Sequence, residues 1–159
     1  FFHRLLFDAR GGLSSFGSEV VRIQQALSAV EAGEFLFVAL DEPGRGTNPR
    51  EGAALVRSLT RHLARAHAVT VVATHFGSVA ACAAAHYQAA GLKLPPDAPP
   101  AEDRLAFIAR HMNYGLVRVP ADAPCPQEAL TICRLLGLDA RVTEAMRADL
   151  EAHREGEIS

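Results

Sequence analysis

The chain has 159 residues, 49% of them hydrophobic and 21% charged, with a formal net charge of −2 at pH 7. That composition fits one globular domain with a real core, or a domain with a small appendage. It excludes an overall basic field as the means of attracting nucleic acid and leaves only a local basic face. Every basic residue except Lys93 is arginine, which reads as compositional bias rather than as a phosphate patch. Cys82, Cys125 and Cys133 are odd in number and lack CxxC spacing, so reduced, buried thiols in a cytoplasmic protein are the simplest reading. The histidines are scattered without an HExxH arrangement, and no structural metal site is expected. Signal-peptide and membrane-spanning patterns are absent from the sequence. It begins at Phe1 rather than Met, so the expectation is a fragment of something longer.

Residues 1–13, FFHRLLFDARGGL, start apolar and end at Gly11-Gly12, like the tail of an element that begins earlier. SSFGSE follows, and then Val20, Ile23, Leu27 and Val30 recur at helical spacing. Ser14 or Ser15 suits the N-cap, with Glu19 in the first turns. Such a helix start can hold an anion, but plain capping is the better reading of these residues taken alone.

The chain is organised around FLFVALDEPGRGT, residues 35–47. Phe35 to Leu40 is a short uncharged run, as in a parallel strand buried on both faces. It runs into Asp41 and Glu42 and a loop with Gly44 and Gly46. Carboxylates at the carboxyl end of such a strand face the crevice where α/β sheets bind ligands. One carboxylate that holds Mg²⁺ beside one that handles the attacking water is the layout of a nucleotide-hydrolysing site. A solvated acidic turn after a core strand is the competing reading.

Asn48-Pro49-Arg50-Glu51 is a helix start: Asn48 at the N-cap, Pro49 at the first position, and Glu51 as reciprocal cap. Leu55, Leu59 and Leu63 line one face, with Arg57, Arg61 and Arg65 on a solvated one. AVTVVAT (68–74) reads as a second strand, parallel to the first, ending in Thr74-His75. That brings His75 to the edge that carries Asp41 and Glu42; a structural histidine is the alternative.

Residues 77–86 are alanine-rich and helix-like, and YQAAGLKL suggests a short edge strand. PPDAPP (95–100) is a stiff, polyproline-like break. The expected division is therefore 1–95 for the α/β part and 96–159 for a mainly helical tail. In the tail, AEDRLAFIARHM reads as a helix and YGLVRV (114–119) as a short strand. QEALTICRLLG and ARVTEAMRADL then form two helices that meet where Gly137 ends one and Asp139 caps the next. Leu130, Cys133, Leu136, Val142, Met146 and Leu150 make apolar stripes too large for the segment to bury alone. A DNA-binding helix-turn-helix and a dimerisation element both fit; acidic residues on the last helix favour dimerisation.

Taken in order, these pieces resemble the C-terminal half of the ATPase domain of the MutS family. SSFGSE (14–19) is similar to the STFMxE segment of that family, and LDEPGRGT to its Walker B and following loop, usually LDExGRGT. ATHF (73–76) is similar to its ATH switch, and ALTICRLLGLDARVTEAM to its C-terminal helix-turn-helix, typically AxLAGLPxxVIxRA. The resemblance covers nearly the whole chain, and GRGT after DE is specific. It implies a P-loop, ABC-type ATPase with a parallel sheet and flanking helices, using ATP and Mg²⁺. Composite sites would form between two copies of the protein. Asp41 would hold Mg²⁺ through water, Glu42 would orient or deprotonate the attacking water, and His75, with Thr74 beside it, would meet the γ-phosphate region. Ser14, Ser15 and Phe16 would reach into the nucleotide site of the partner subunit.

The sequence departs from the family pattern in two ways. No GxxxxGK(S/T) occurs in it, so the phosphate-cradling loop is expected before Phe1, and the chain as given would hold half a site. Pro43 and the run GRGTNPREG differ from the usual mismatch-repair pattern, and the tail HMNYGLVRV with CPQEALTICRLLGLD is similar to MutS-related proteins outside mismatch repair. The implied functions are thus ATP turnover coupled to DNA mismatch binding through domains outside this chain or, alternatively, ATP-driven action on a metabolic-enzyme partner such as a cobalamin-dependent aminomutase. A non-catalytic dimerisation fragment is the third.

Overall fold

The computed structural model describes residues 3–8, 13–95 and 103–156, with residues 3–8, 13–15 and 153–156 described by their backbone. Gly11-Gly12 and nearly all of the PPDAPP break lie outside the described residues. The described chain forms two compact units. The first comprises residues 1–86 and 119–125, and the second residues 87–118 and 126–159. This grouping assigns residues 87–95 to the tail, whereas the sequence pattern placed the division at the proline run.

The first unit is α/β. Strand β1 (His3–Asp8), helix α1 (Leu13–Glu31), strand β2 (Leu36–Asp41), helix α2 (Pro49–Leu63) and strand β3 (Ala68–Ala73) follow one another. The strands form a parallel sheet in the order β1-β2-β3, with Asp8 level with Asp41 and Asp41 level with Ala73. Parallel neighbours need a crossover, and α1 and α2 supply it.

The core lies on one face of that sheet. Leu36, Val38 and Leu40 of β2 pack with Ile23 and Ala26 of α1 and with Leu59 and Leu63 of α2. The helical spacing of α1 is real, but Ala26 takes a buried place and Val20 is exposed. In α2 it is Val56, rather than Leu55, that is buried with Leu59 and Leu63. The expectation of a β2 buried on both faces is corrected. Burial alternates along it, so Phe37 and Ala39 on the second face are only half-buried. On β3 the same face is open among the described residues, with Val69 49% and Val71 52% exposed. An uncharged run cannot distinguish one covered face from two, because β-branched residues suit either.

Local signals place the helix ends. α1 stops at Gly33, whose φ of +87° suits the left-handed turn; its N–H donates to the Val30 carbonyl at 3.0 Å. α1 begins at Leu13, so neither Ser14 nor Ser15 is its flanking cap residue. Asn48 does cap α2, its Oδ1 accepting from Arg50 N–H at 2.9 Å. Glu51 does not close the reciprocal bond; its Oε2 accepts from the Thr47 hydroxyl at 3.3 Å. Residues 77–86 are not an α-helix. Gly77–Cys82 is one 3₁₀ segment, and the chain is extended again from His86, so alanine propensity does not decide the structure there.

In the second unit, strand β4 (His86–Leu92) pairs with strand β5 (Met112–Val119), the first residue of β4 and the last of β5 being counted with the first unit. Helix α3 (Arg104–His111) precedes β5, and α4 (Ala129–Leu136) and α5 (Ala140–Gly156) follow it. Gly91, at φ +75°, lies against Glu128, whose Oε1 accepts from Leu92 N–H at 2.6 Å. Gly137 ends α4 at φ +81°, and Asp139 Oδ1 accepts from Arg141 N–H at 2.8 Å to open α5. Arg147, paired with Glu144 and Glu151, holds the Glu144 carboxyl below its ordinary value, chiefly through their hydrogen bond. Leu136, Val142 and Leu150 remain exposed on the helical pair, as their stripes suggested. The cysteine expectation is corrected: all three thiols are free, but Cys82 and Cys133 are only half-buried and Cys125 is exposed.

Candidate functional site

The site is built where β2 and β3 end. Because Asp41 lies level with Ala73, the residues that follow each strand emerge side by side. Glu42 N–H donates to the Ala73 carbonyl at 2.8 Å, which carries the ladder one residue past β2. At Glu42 the backbone turns to φ +48°, a left-handed value that a non-glycine residue holds at a cost of about 1–2 kcal/mol. Strain of that kind persists only where the surroundings over-determine it, and it concentrates at functional positions. Here the turn directs the Glu42 carboxylate towards His75, whose Nδ1 meets Glu42 Oε2 within hydrogen-bond distance. Both side chains stay accessible, Glu42 32% and His75 58% exposed, so their contact leaves room for a reactant.

Neighbouring residues shape the rest. The His75 ring lies 4.2 Å, centroid to centroid, from that of Phe76, and Thr74 Oγ1 accepts from Phe76 N–H at 3.2 Å to fix the turn after β3. The loop after Glu42 is drawn tightly onto α2. Pro43 and Gly44 are buried, and a Cβ on Gly44 would lie 3.0 Å from the Gly52 Cα. Gly44 sits at φ +75° and donates its N–H to Glu19 Oε1 of α1 at 3.0 Å. Between loop and strand ends opens a cleft of about 400 Å³, lined by Glu42, Gly44, Arg45, Thr47, Pro49, His75 and Phe76. That volume is within the usual range for small-molecule sites. The first helical residue of α2, Pro49, lines it, so the positive end of the helix dipole adds to the Arg45 charge there.

Of the residues singled out from sequence, Glu42 and His75 are brought into contact. Asp41 is exposed at the end of β2, next to the cleft in sequence but outside its lining. Thr74 serves the adjacent turn, and Phe16 is half-buried on α1 away from the lining. Ser14 and Ser15 lie in the first turn of α1, and their side chains are outside the described ones. Sequence reasoning missed Glu19 as the partner of the loop, and Gly52 as the surface it packs on. A glycine in the second turn of a helix, as Gly52 is, was the available signal for a close backbone approach. No group of three metal-ligating side chains occurs among the described residues. No described helix is long and apolar enough to cross a membrane.

A parallel sheet, carboxylates at one strand end, a histidine at the next and a glycine loop together define an α/β site, and comparison with known proteins says to which family the chain belongs. The pattern of MutS domain V matches residues 6–128, and the chain belongs to the MutS family. It is 31% identical to the DNA mismatch repair protein MutS of Thermus thermophilus over 157 residues, which is 95% of this chain and 17% of that protein. It is 40% identical to endonuclease MutS2 of Halothermothrix orenii over 67 residues, 42% of this chain and 8% of that protein. A match of 43% over 67 residues links it to endonuclease MutS2 of Pelotomaculum thermopropionicum. The chain thus spans less than a fifth of the length of these curated relatives.

Proposed function

We propose that this chain is the catalytic-carboxylate part of a P-loop, ABC-type ATPase domain of a MutS-type protein, in which ATP turnover is coupled to DNA binding in mismatch repair. The observation that carries the reading is the meeting of Glu42 and His75 across the ends of β2 and β3, over the cleft beside the start of α2.

In this reading Glu42 orients the attacking water and accepts its proton, a role supported by its accessible carboxylate and fixed backbone. His75 holds the Glu42 carboxylate in place before substrate binds and lines the cleft, where it would meet the γ-phosphate region. Arg45 and the start of α2 supply positive potential to an anionic substrate. Asp41, a single exposed carboxylate, fits Mg²⁺, which keeps most of its waters and takes one or two carboxylates besides substrate phosphates. The ion would supply neutralisation of phosphate charge. Ser14, Ser15 and Phe16 would serve the site of a second copy, and Thr74 the nucleotide beside His75. The sequence holds no GxxxxGK(S/T), so the phosphate cradle comes from another segment of the intact protein.

The test is Glu42→Gln in the intact protein. ATP binding is retained and turnover falls about 10²- to 10⁴-fold, the usual contribution of a general base. Unchanged turnover removes Glu42 from the mechanism. A gel shift on mismatched and matched duplexes at fixed salt tests the DNA arm. The net charge of −2 gives this chain no long-range pull on DNA of its own. Full ATPase activity with no duplex binding would therefore favour the second reading, a metabolic-enzyme client.

A further inference from the structure

Glu19 belongs to none of the roles above, yet its side chain spans 25 residues of sequence to reach the catalytic loop. The Gly44 amide that it accepts from is buried, so without Glu19 that N–H would lose the hydrogen bond that balances its burial. Gly44 lies two residues beyond Glu42, on a loop pressed against Gly52 and containing two left-handed backbone positions on either side of Pro43, Glu42 at φ +48° and Gly44 at φ +75°. Apart from the Glu42 N–H bond to Ala73, the backbone bonds within the loop are long: Arg45 N–H to the Glu42 carbonyl at 3.4 Å and Thr47 N–H to the Gly44 carbonyl at 3.3 Å. The 3.0 Å bond to a carboxylate is the shorter, charge-assisted one, and such bonds are roughly twice as strong as neutral ones.

We propose that Glu19 is a positioning residue for Glu42: its carboxylate clamps the loop at Gly44 and so ties the helix bearing Ser14, Ser15 and Phe16 to the carboxylate that activates water. This rests on the ATPase reading for its catalytic consequence, but not for the clamp itself. Movement of α1, such as a second copy engaging its first turn would cause, is then transmitted to the Glu42 turn through one side chain.

The experiment compares Glu19→Ala and Glu19→Gln in the intact protein by hydrogen exchange and by ATPase kinetics. Alanine is the best helix former, so the variant keeps α1, and protection of the Leu36–Leu40 amides reports that the core is intact. Expected for Glu19→Ala are at least about ten-fold faster exchange across residues 42–47 and a kcat about ten-fold lower at unchanged KM for ATP, the scale of one hydrogen bond to a charged group. Glu19→Gln keeps an acceptor oxygen for a neutral bond about half as strong, so each about ten-fold effect shrinks to about three-fold. Unchanged exchange in Glu19→Ala, faster exchange with unchanged kcat, or a Gln variant as impaired as the Ala variant each overturns the proposal. If the unsubstituted protein, or Glu42→Gln beside it, contradicts the ATPase reading, that reading fails separately and the exchange comparison still decides whether Glu19 holds the loop.

Discussion

Replacing Gly52 by alanine reverses an ordinary rule. In the interior of a helix that change usually stabilises by about 0.5–1 kcal/mol, because glycine loses more freedom on folding. In α2 the new methyl would lie 2.8 Å from the Gly44 carbonyl oxygen and 3.1 Å from Cζ of Phe76. The first neighbour is backbone, held by Glu19 and by its own left-handed turn, so it yields only if the loop moves. Overpacking of this kind costs about 1–3 kcal/mol. Set against the helix gain, the net expectation is a loss of about 0.5–2 kcal/mol. At about 2–4 °C per kcal/mol for a chain near this size, Tm falls by a few degrees. The effect on turnover is larger than that figure suggests. The displaced groups flank both members of the Glu42–His75 pair, and small misplacements of reacting groups are expensive in rate, so kcat falls about ten-fold or more. Thermal unfolding and steady-state ATPase assays on the intact protein read both. An alanine variant that melts higher and turns over normally would refute the close approach of loop and helix on which the site geometry rests.

Two further outcomes follow from the same unit. Asn48→Ala removes the side-chain cap of α2 and lowers stability by about 1 kcal/mol, measured by urea unfolding; an unchanged midpoint would mean that water caps the helix equally well. Thr70→Val should raise stability by about 1 kcal/mol, because Thr70 Oγ1 is a buried hydroxyl with no partner among the described residues and valine fills the same space on a strand. A lower Tm for that variant would show that the hydroxyl is satisfied.

The convergence of Glu42 and His75 was legible in the sequence because it depends only on topology. Two apolar runs separated by a capped helix must lie parallel, and parallel strands in register present their following residues at one edge. The cap itself was legible for a similar reason, since Asn48-Pro49 acts within one turn. What the sequence did not disclose depends on distance or on covering. Nothing in the period of α1 marks Glu19 as a reaching side chain rather than an exposed one, for its partner lies beyond the next strand. Phe37, Ala39, Val69 and Val71 read as core because they are apolar, yet the side of the sheet to which they belong is only partly covered. Alanines at 80–85 favoured helix by propensity, a weak prior, yet they fall in a 3₁₀ segment and the turn that leads into β4.

The left-handed backbone at Glu42 opposes thermodynamic robustness to the presence of a carboxylate at a single residue. Glycine there would shed about 1–2 kcal/mol of conformational strain, against about 0.5–1 kcal/mol of extra chain entropy, and would abolish the carboxylate. Selection for heat resistance alone would therefore tolerate or even enrich variants that lack this carboxylate, and on the proposed role of Glu42 a directed-evolution scheme on this protein needs turnover in its screen.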